Sequence, residues 1–509
     1  MLTQKSRPDP RWLILLLLAA PAWTENIRIT VLHTNDIHGW VMERPATFYE
    51  KDPQRPVGGA ASLAALVKKT KGPKLVLDAG DWFQGTPEGA FEQGQGLAAV
   101  FNTVGYDAME VGNHDFDNGE KNLAAIIGKL SVPVLCANVY RADGSRAPEC
   151  KPWIIKEVAG VKVGIFGLLT TSMRALSFPE NIKGLTFRRA VAEANEQVAA
   201  LRHEGASVII AITHQGVERP DMASFEGDQT LAAQVEGIDL IVGGHTHTVL
   251  KEGLRDATYG TLIVQAGTEM TRVGRVDLEI DPKTKKVVRS SARLVSLWPD
   301  ETGSDPEAVA AVAKLERDVG HVYDAVVATA AVALMRNPRG ESSLGDWITD
   351  CSRAWAGADI AIQNTRGIRA DLPAGPVTLR SIFYVAPFEN HVTKLVMKGR
   401  DLKSLLTHGA SVSGVPQISG AILTIRRGAQ AGQSLVSATI AGKPIQDDAS
   451  YMVSTIDFLA YGGGGYTDFE FAEKKEFTQM LMRDVLKECA QKEGLIKPPP
   501  AGRIIFTED

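Results

Sequence analysis

Two hydrophobic rhythms alternate along the first half of this chain. Short runs rich in Val, Ile and Leu, at Ile27–Leu32, Lys74–Leu77, Ala108–Val111, Val134–Cys136, Val161–Phe166, Val208–Ile212 and Leu240–Val242, have the length and β-branched content of buried strands. Between them Ala60–Lys69, Leu97–Val104, Asn122–Leu130 and Ala190–Arg202 repeat apolar residues at the spacing of one helix face. Regular alternation of that kind predicts an α/β layered domain, with central β-sheets flanked by helices. Pro299–Pro306 is polar and turn-rich, and Glu307–Arg317 reads as a helix able to carry the chain onward. Beyond it the alternation is less regular, with helices predicted at Ser343–Trp355 and Leu402–Leu406 and strands at Val392–Met397 and Ala421–Ile425. The expected organisation is a domain over 26–298, a linker with a helix over 299–324 and a smaller α/β domain over 325–509.

The N-terminus has a different pattern. Lys5, Arg7 and Arg11 precede the apolar run Trp12–Ala20, and Ala20-Pro21-Ala22 places small residues where a signal peptidase cuts. The run is shorter than the roughly 20 residues that span a bilayer. Residues 1–22 therefore read as a signal peptide, and the mature chain as exported to the periplasm or the extracellular medium, with no membrane attachment after cleavage. The composition, 44% hydrophobic and 23% charged over 509 residues, is that of a globular protein able to build large cores. A net charge of -5 offers no basic surface for a nucleic-acid polymer or an anionic membrane. Of the four cysteines, Cys136 and Cys150 would close a short loop and are the expected bridge, leaving Cys351 and Cys489 paired or buried.

The polar motifs of the first domain stand just after its predicted strands. Asp36-Ile37-His38, Gly80-Asp81, Gly112-Asn113-His114-Asp115, His214 and Gly243-Gly244-His245-Thr246-His247 each follow one. Ligands of open α/β sheets bind at the carboxyl ends of strands, so five such arrivals imply one shared site. Asp36, His38, Asp81, Asn113, His214, His245 and His247 offer oxygen and neutral nitrogen without thiolate, which suits zinc or manganese. Seven donors are too many for one ion and suit two, with a carboxylate bridging.

In this order the motifs resemble those of the calcineurin-like metallophosphoesterases, and His33-Thr34-Asn35-Asp36-Ile37-His38-Gly39 resembles more particularly the opening of the 5′-nucleotidase family, with its UDP-sugar hydrolase and cyclic-nucleotide phosphodiesterase relatives. The resemblance implies one ion held by Asp36, His38, Asp81 and His247 and a second held by Asp81, Asn113, His214 and His245, with Asp81 shared. It also implies that His114, paired with Asp117, stabilises the charge of the transferring phosphoryl group. Two close divalent ions neutralise phosphoryl oxygens and acidify a bound water for in-line attack.

In the second half, Asn364-Thr365-Arg366-Gly367-Ile368-Arg369 resembles the family's Asn-x-Gly-Gly-Ile-Arg signature. Arg339 with Glu341-Ser342-Ser343-Leu344-Gly345-Asp346 resembles the segment that places another arginine before a helix, and Phe388 and Phe458 stand where the family keeps two rings that sandwich a base. Arg339, Asn364, Arg369, Phe388 and Phe458 are thereby implied as substrate contacts. Two departures stand out. Arg366 replaces a glycine, and Gly464 replaces the carboxylate of Gly-Gly-Asp-Gly that would hold ribose hydroxyls. Unless another acceptor serves, the second predicts weak selection for ribose.

The function so implied is hydrolysis of phosphoric ester bonds by an exported enzyme with two divalent metal ions, acting on 5′-nucleotides or related small phosphate esters. A UDP-sugar, a 2′,3′-cyclic nucleotide or a non-nucleotide ester could be the substrate on the same scaffold. A secreted nucleotide-binding protein without turnover is the alternative of another class, and the seven donors with His114 and Asp117 argue against it, since binding alone needs no water-activating bimetallic site.

Overall fold

The computed structural model describes residues 25–147, 149–218, 226–337, 339–411, 415–427 and 434–507. The signal peptide expected over 1–22 lies outside them. Among the described residues no helix is long and apolar enough to cross a membrane.

Two six-stranded sheets face each other in the first half. One runs in the order Val287–Ser296, Arg272–Ile280, Ile27–Thr34, Lys74–Asp78, Ala108–Glu110, Val134–Leu135. The other runs Leu254–Arg255, Leu262–Val264, Leu240–Gly243, Val208–His214, Val161–Leu169, Trp153–Val158. Their central strands are parallel, and Ile29, Val31, Leu77, Ile165, Ile210, Ile212 and Val242 fill the space between the sheets. Helices Ala60–Lys69, Ala98–Val104 and Gly119–Lys129 cover the outer face of the first sheet, and Ala190–His203 and Asp228–Gln234 that of the second. Strands buried on both faces need continuous apolar runs, which is why Val208–His214 has no alternation to read.

The helix expected after Pro299 spans Pro306–Tyr323, opened by Asp305, whose side chain accepts from the backbone N–H groups of Glu307 and Ala308. It is not a free tether. Leu315 and Val319 sit in the first domain's core, and Lys68 bonds Asp305 at 2.6 Å. The chain passes to the second half at Asp324–Ala325, beyond this packed helix. There a five-stranded sheet is ordered Gln417–Ser419, Ile360–Gln363, Ser450–Ile456, His391–Lys398, Lys474–Leu481, and a four-stranded sheet includes Ala421–Arg426.

The expected Cys136–Cys150 bridge is not formed, whereas Cys351 and Cys489 take the paired one of the two fates expected for them. Cys351, on the helix Ser343–Ala356, is bridged to Cys489, on Met482–Glu493, with Cα atoms 5.8 Å apart, while Cys136 and Cys150 are free thiols. Loop length is a poor guide here. Two packed helices brought Cys351 and Cys489 together across 138 residues, a proximity that sequence spacing does not encode. Cys351→Ala with Cys489→Ala is expected to lower the stability of the second domain by about 2–5 kcal/mol. Denaturant titration followed through Trp347, which lies on the same helix, measures it, and metal content should not change.

Candidate metal centre and substrate cleft

The seven candidate donors meet where the carboxyl ends of the two sheets come together. Asp36 and His38 leave Ile27–Thr34, Asp81 follows Lys74–Asp78 and Asn113 follows Ala108–Glu110, all in the first sheet; His214 ends Val208–His214, and His245 and His247 follow Leu240–Gly243, in the second. Asp81 Oδ2 lies 3.1 Å from His214 Nε2 and 3.7 Å from His38 Nε2. Asp36 Oδ1 lies 3.4 Å from His247 Nε2 and 4.0 Å from His214 Nε2. His245 Nδ1 is 2.9 Å from Asn113 Oδ1. Asp36, His38 and His247 form one group with donor atoms all within 4.8 Å of one another, and Asp36, Asp81 and His214 form a second. Cys351, Cys489 and Glu493 form a third such group, but its sulfurs are spent on the disulfide.

Backbone carbonyls orient the rings. His38 Nδ1 is 2.7 Å from the carbonyl of Gln84, and His214 Nδ1 is 2.7 Å from that of Ala79, which turns each Nε2 toward the cluster. His214 Nε2 is fully buried without an aligned hydrogen bond. A buried imidazole nitrogen 3.1 Å from one carboxylate and 4.0 Å from another is the arrangement a divalent ion satisfies, and the set of donors fits that class of ion.

Five of the seven donors hold positive φ: Asp36 at 51°, His38 at 50°, Asp81 at 59°, His245 at 75° and His247 at 53°. Each such conformation costs on the order of 1–3 kcal/mol and persists only where surroundings enforce it. Buried carboxylates do so around Asp81. Asp115 accepts from the backbone N–H groups of Asp81 at 3.0 Å, Trp82 at 2.8 Å and Gly112 at 2.7 Å, and Asp78 accepts from Gly80 at 3.0 Å and from Trp82 Nε1 at 2.9 Å. Gly112 has to be glycine, because a Cβ there would lie 2.1 Å from Asp81 Oδ1.

Electrostatics favour positive charge at the centre. Burial opposes ionisation of Asp81, yet the charges of His214 and His114 outweigh it and hold the carboxyl well below its usual range. Burial pushes His38 down to about 4 and His245 to about 3, leaving them neutral and fit to bind a metal. For His214, burial also pulls downward, but Asp81 overcomes it and raises the ring to about 10. A proton therefore stands on His214 across the neutral range and has to leave when an ion binds. Metal affinity is expected to rise with pH below 10, by up to about tenfold per unit for one displaced proton. Calorimetry of metal binding in buffers of different ionisation enthalpy counts that proton, and a pH-independent affinity would contradict the expectation.

His114 stands beside the cluster. Its Nδ1 is 2.8 Å from Asp117 Oδ2, and despite burial the charges of Asp117 and Asp81 raise the ring to about 9. It is thus an imidazolium at neutral pH, and its ring lies 6.0 Å from that of Phe388 in the second domain. The domains also touch through Gln84 Nε2, which donates to the carbonyl of Pro387 at 3.2 Å, through an ion pair of buried Glu88 with Arg380, and through Trp40 stacked on Tyr384. Between them lies a cavity of about 280 Å³ reaching His38, Phe388 and Arg369.

The second-domain residues expected at the substrate are only partly gathered. Arg369 lies over the ring of Phe388 at 5.7 Å. Asn364 precedes the turn Thr365–Gly367 that leads to Arg369, and its Oδ1 accepts from Gln363 at 2.9 Å. Phe458 packs half-buried against the second domain's core, and among the described residues no direct ring contact joins it to Phe388. Arg339 is exposed, with its backbone N–H bonded to Asn337; Arg336, which sequence reasoning missed, instead reaches the carbonyl of Arg369 and the carboxylate of Asp371. Trp40, Gln84, Glu269 and Tyr384 were missed too. Only Trp40 had a signal, its place two residues after His38.

Known proteins show the same two halves. Residues 29–249 match the calcineurin-like phosphoesterase family, and residues 319–470 match the 5′-nucleotidase C-terminal domain. A trifunctional nucleotide phosphoesterase protein, YfkN, from Bacillus subtilis is 30% identical across 94% of the chain, which spans 35% of that protein's length. A snake venom 5′-nucleotidase from Gloydius brevicauda is 28% identical, with 99% of the chain and 94% of the venom protein aligned. Among solved structures, a 5′-nucleotidase precursor from Thermus thermophilus superposes with a TM-score of 0.80 at 28% identity, covering 94% of the chain and 99% of its own.

Proposed function

The chain belongs to the 5′-nucleotidase family, a calcineurin-like phosphoesterase domain followed by a 5′-nucleotidase C-terminal domain, and from that premise we propose that it is an exported phosphohydrolase that removes phosphate from 5′-nucleotides and related small esters with two divalent metal ions. One observation carries the reading: the Asp81 carboxylate stands between His38 and His214 within a cluster of seven donors. Asp36, His38, Asp81 and His247 would hold one ion and Asp81, Asn113, His214 and His245 the other. When bound, such a pair supplies neutralisation of phosphoryl oxygens and acidification of water.

The chain's own residues supply the rest. His114, charged and oriented by Asp117, is placed to donate a hydrogen bond to a phosphoryl oxygen as charge builds there. Arg369 adds a guanidinium that can bind phosphate oxygens in a fork, and Phe388 presents a ring next to both. A non-catalytic binding protein would have no use for the charged His114–Asp117 pair.

A second reading keeps the same metals and changes the ester, to a diphosphosugar, a 2′,3′-cyclic nucleotide or a non-nucleotide ester, and Gly464, which offers ribose hydroxyls no carboxylate, favours the last of these. Phosphate release from nucleoside 5′-monophosphates, a UDP-sugar, cyclic nucleotides and an aryl phosphate, with zinc and with manganese, separates the two. Fastest release from the 5′-monophosphates is expected. Release from none of them with any divalent ion would contradict the proposal.

A further inference from the structure

The cavity at the domain seam holds chemistry that phosphate cleavage does not use. His38 closes one end, and its walls carry Trp40 and Glu269 from the first domain and Arg369, Asp371, Ser381 and Tyr384 from the second. Trp40 and Tyr384 lie 5.6 Å apart at 12°, so each spends one face on the other and no flat ring enters between them. The charges are largely matched. Glu269 pairs with Arg44, whose guanidinium lies 4.3 Å over Trp40, and Asp371 accepts from Arg336 Nε at 3.4 Å and from its backbone N–H at 2.7 Å. The further cation is Arg369, beside Phe388 and hence toward the phosphoryl end of the cleft.

Two carboxylates therefore face the cavity with acceptor capacity beyond the arginine each already binds. An ionised carboxylate has about four lone-pair sites and no donor, so whatever fills them must donate. With the surrounding charges matched, a cationic ligand gains little, whereas hydroxyl groups are neutral donors. Glu269 is also fixed relative to the metal cluster: its N–H donates to the carbonyl of Asp36 at 2.8 Å, and its φ is held at 61°. Asp457, by contrast, is used within the second domain. Its oxygens accept from Asn390 at 3.2 Å, from the backbone of His391 at 3.0 Å and from that of Phe458 at 2.8 Å.

Resting on the phosphoester reading above, we propose that Glu269 is a specificity-determining residue that accepts hydrogen bonds from ring hydroxyls on the alcohol half of the substrate. It takes over the work of the carboxylate absent at Gly464, and the preferred substrates are phosphate esters of a polyhydroxylated ring, ribose included.

Comparing a ribonucleoside 5′-monophosphate with its 2′,3′-dideoxy analogue tests this with the base held constant. The unaltered enzyme is expected to favour the ribonucleotide by about ten- to a hundredfold in kcat/KM, the range for a hydrogen bond to a charged group. Glu269→Met, which keeps the length of the side chain but removes its acceptor oxygens, should bring that ratio toward one, mainly through a higher KM for the ribonucleotide, at unchanged metal content. General damage from losing the Arg44 pair would lower both substrates alike and leave the ratio standing. A ratio near one in the unaltered enzyme overturns the proposal without recourse to any variant, as does a high ratio that survives Glu269→Met. Hydrolysis of neither nucleotide, with an aryl phosphate still cleaved, overturns the nucleotide reading instead.

Discussion

Asp81→Asn is expected to remove hydrolysis of every phosphate ester together, by at least about a thousandfold in kcat/KM, the scale of losing one strong transition-state contact. Asp81 lies 3.7 Å from His38 and 3.1 Å from His214, proposed ligands of different ions, so its charge serves both and its loss weakens both. Asparagine is the right replacement. It matches the shape of aspartate and tolerates the left-handed φ of 59°, where alanine would add about 1–2 kcal/mol of strain. The backbone contacts from Asp115 to Asp81, Trp82 and Gly112 are retained, so folding should persist. Turnover at the normal rate with two metal equivalents bound would refute the bridging assignment.

His114→Ala should act differently. The imidazolium contacts neither of the two donor groups of the cluster as a ligand, and its pairing with Asp117 gives it charge and direction. Turnover is expected to fall by about 10²–10³, with KM little changed and full metal content, because the interaction is made as charge develops on the transferring group. Asp117→Asn should fall between, leaving the ring in place but lowering its pKa from about 9. Loss of metal in step with activity in His114→Ala would place this residue among the ligands.

The first domain was legible because its information is local. The helix Ala60–Lys69 and the strand starts at Ile27, Lys74, Ala108, Val161, Val208 and Leu240 coincide with their apolar runs, and the polar motifs follow those runs directly. What escaped was the long antiparallel hairpin Arg272–Ser296, whose half-exposed strands carry Arg, Ser and Glu and lack a strong apolar run. Contacts made between distant segments escaped as well. Glu269 gains its meaning from Asp36 and Arg44 and Arg336 from Arg369 and Asp371, pairings fixed only once distant segments of one domain pack, and Trp40 from Tyr384, which meet only where the two domains do. The left-handed backbone at Asp36, His38, Asp81, His245 and His247 was equally invisible, since residue type predicts negative φ at each and the fold imposes the opposite.

Anomalous diffraction from crystals of the full chain grown with manganese tests the proposed centre most directly. Two peaks about 3.5 to 4 Å apart are expected, both at coordination distance from Asp81, one also bound by His38 and His247 and the other by His214 and His245. A single peak, or a pair that Asp81 does not bridge, would contradict the dinuclear centre on which the proposed chemistry depends.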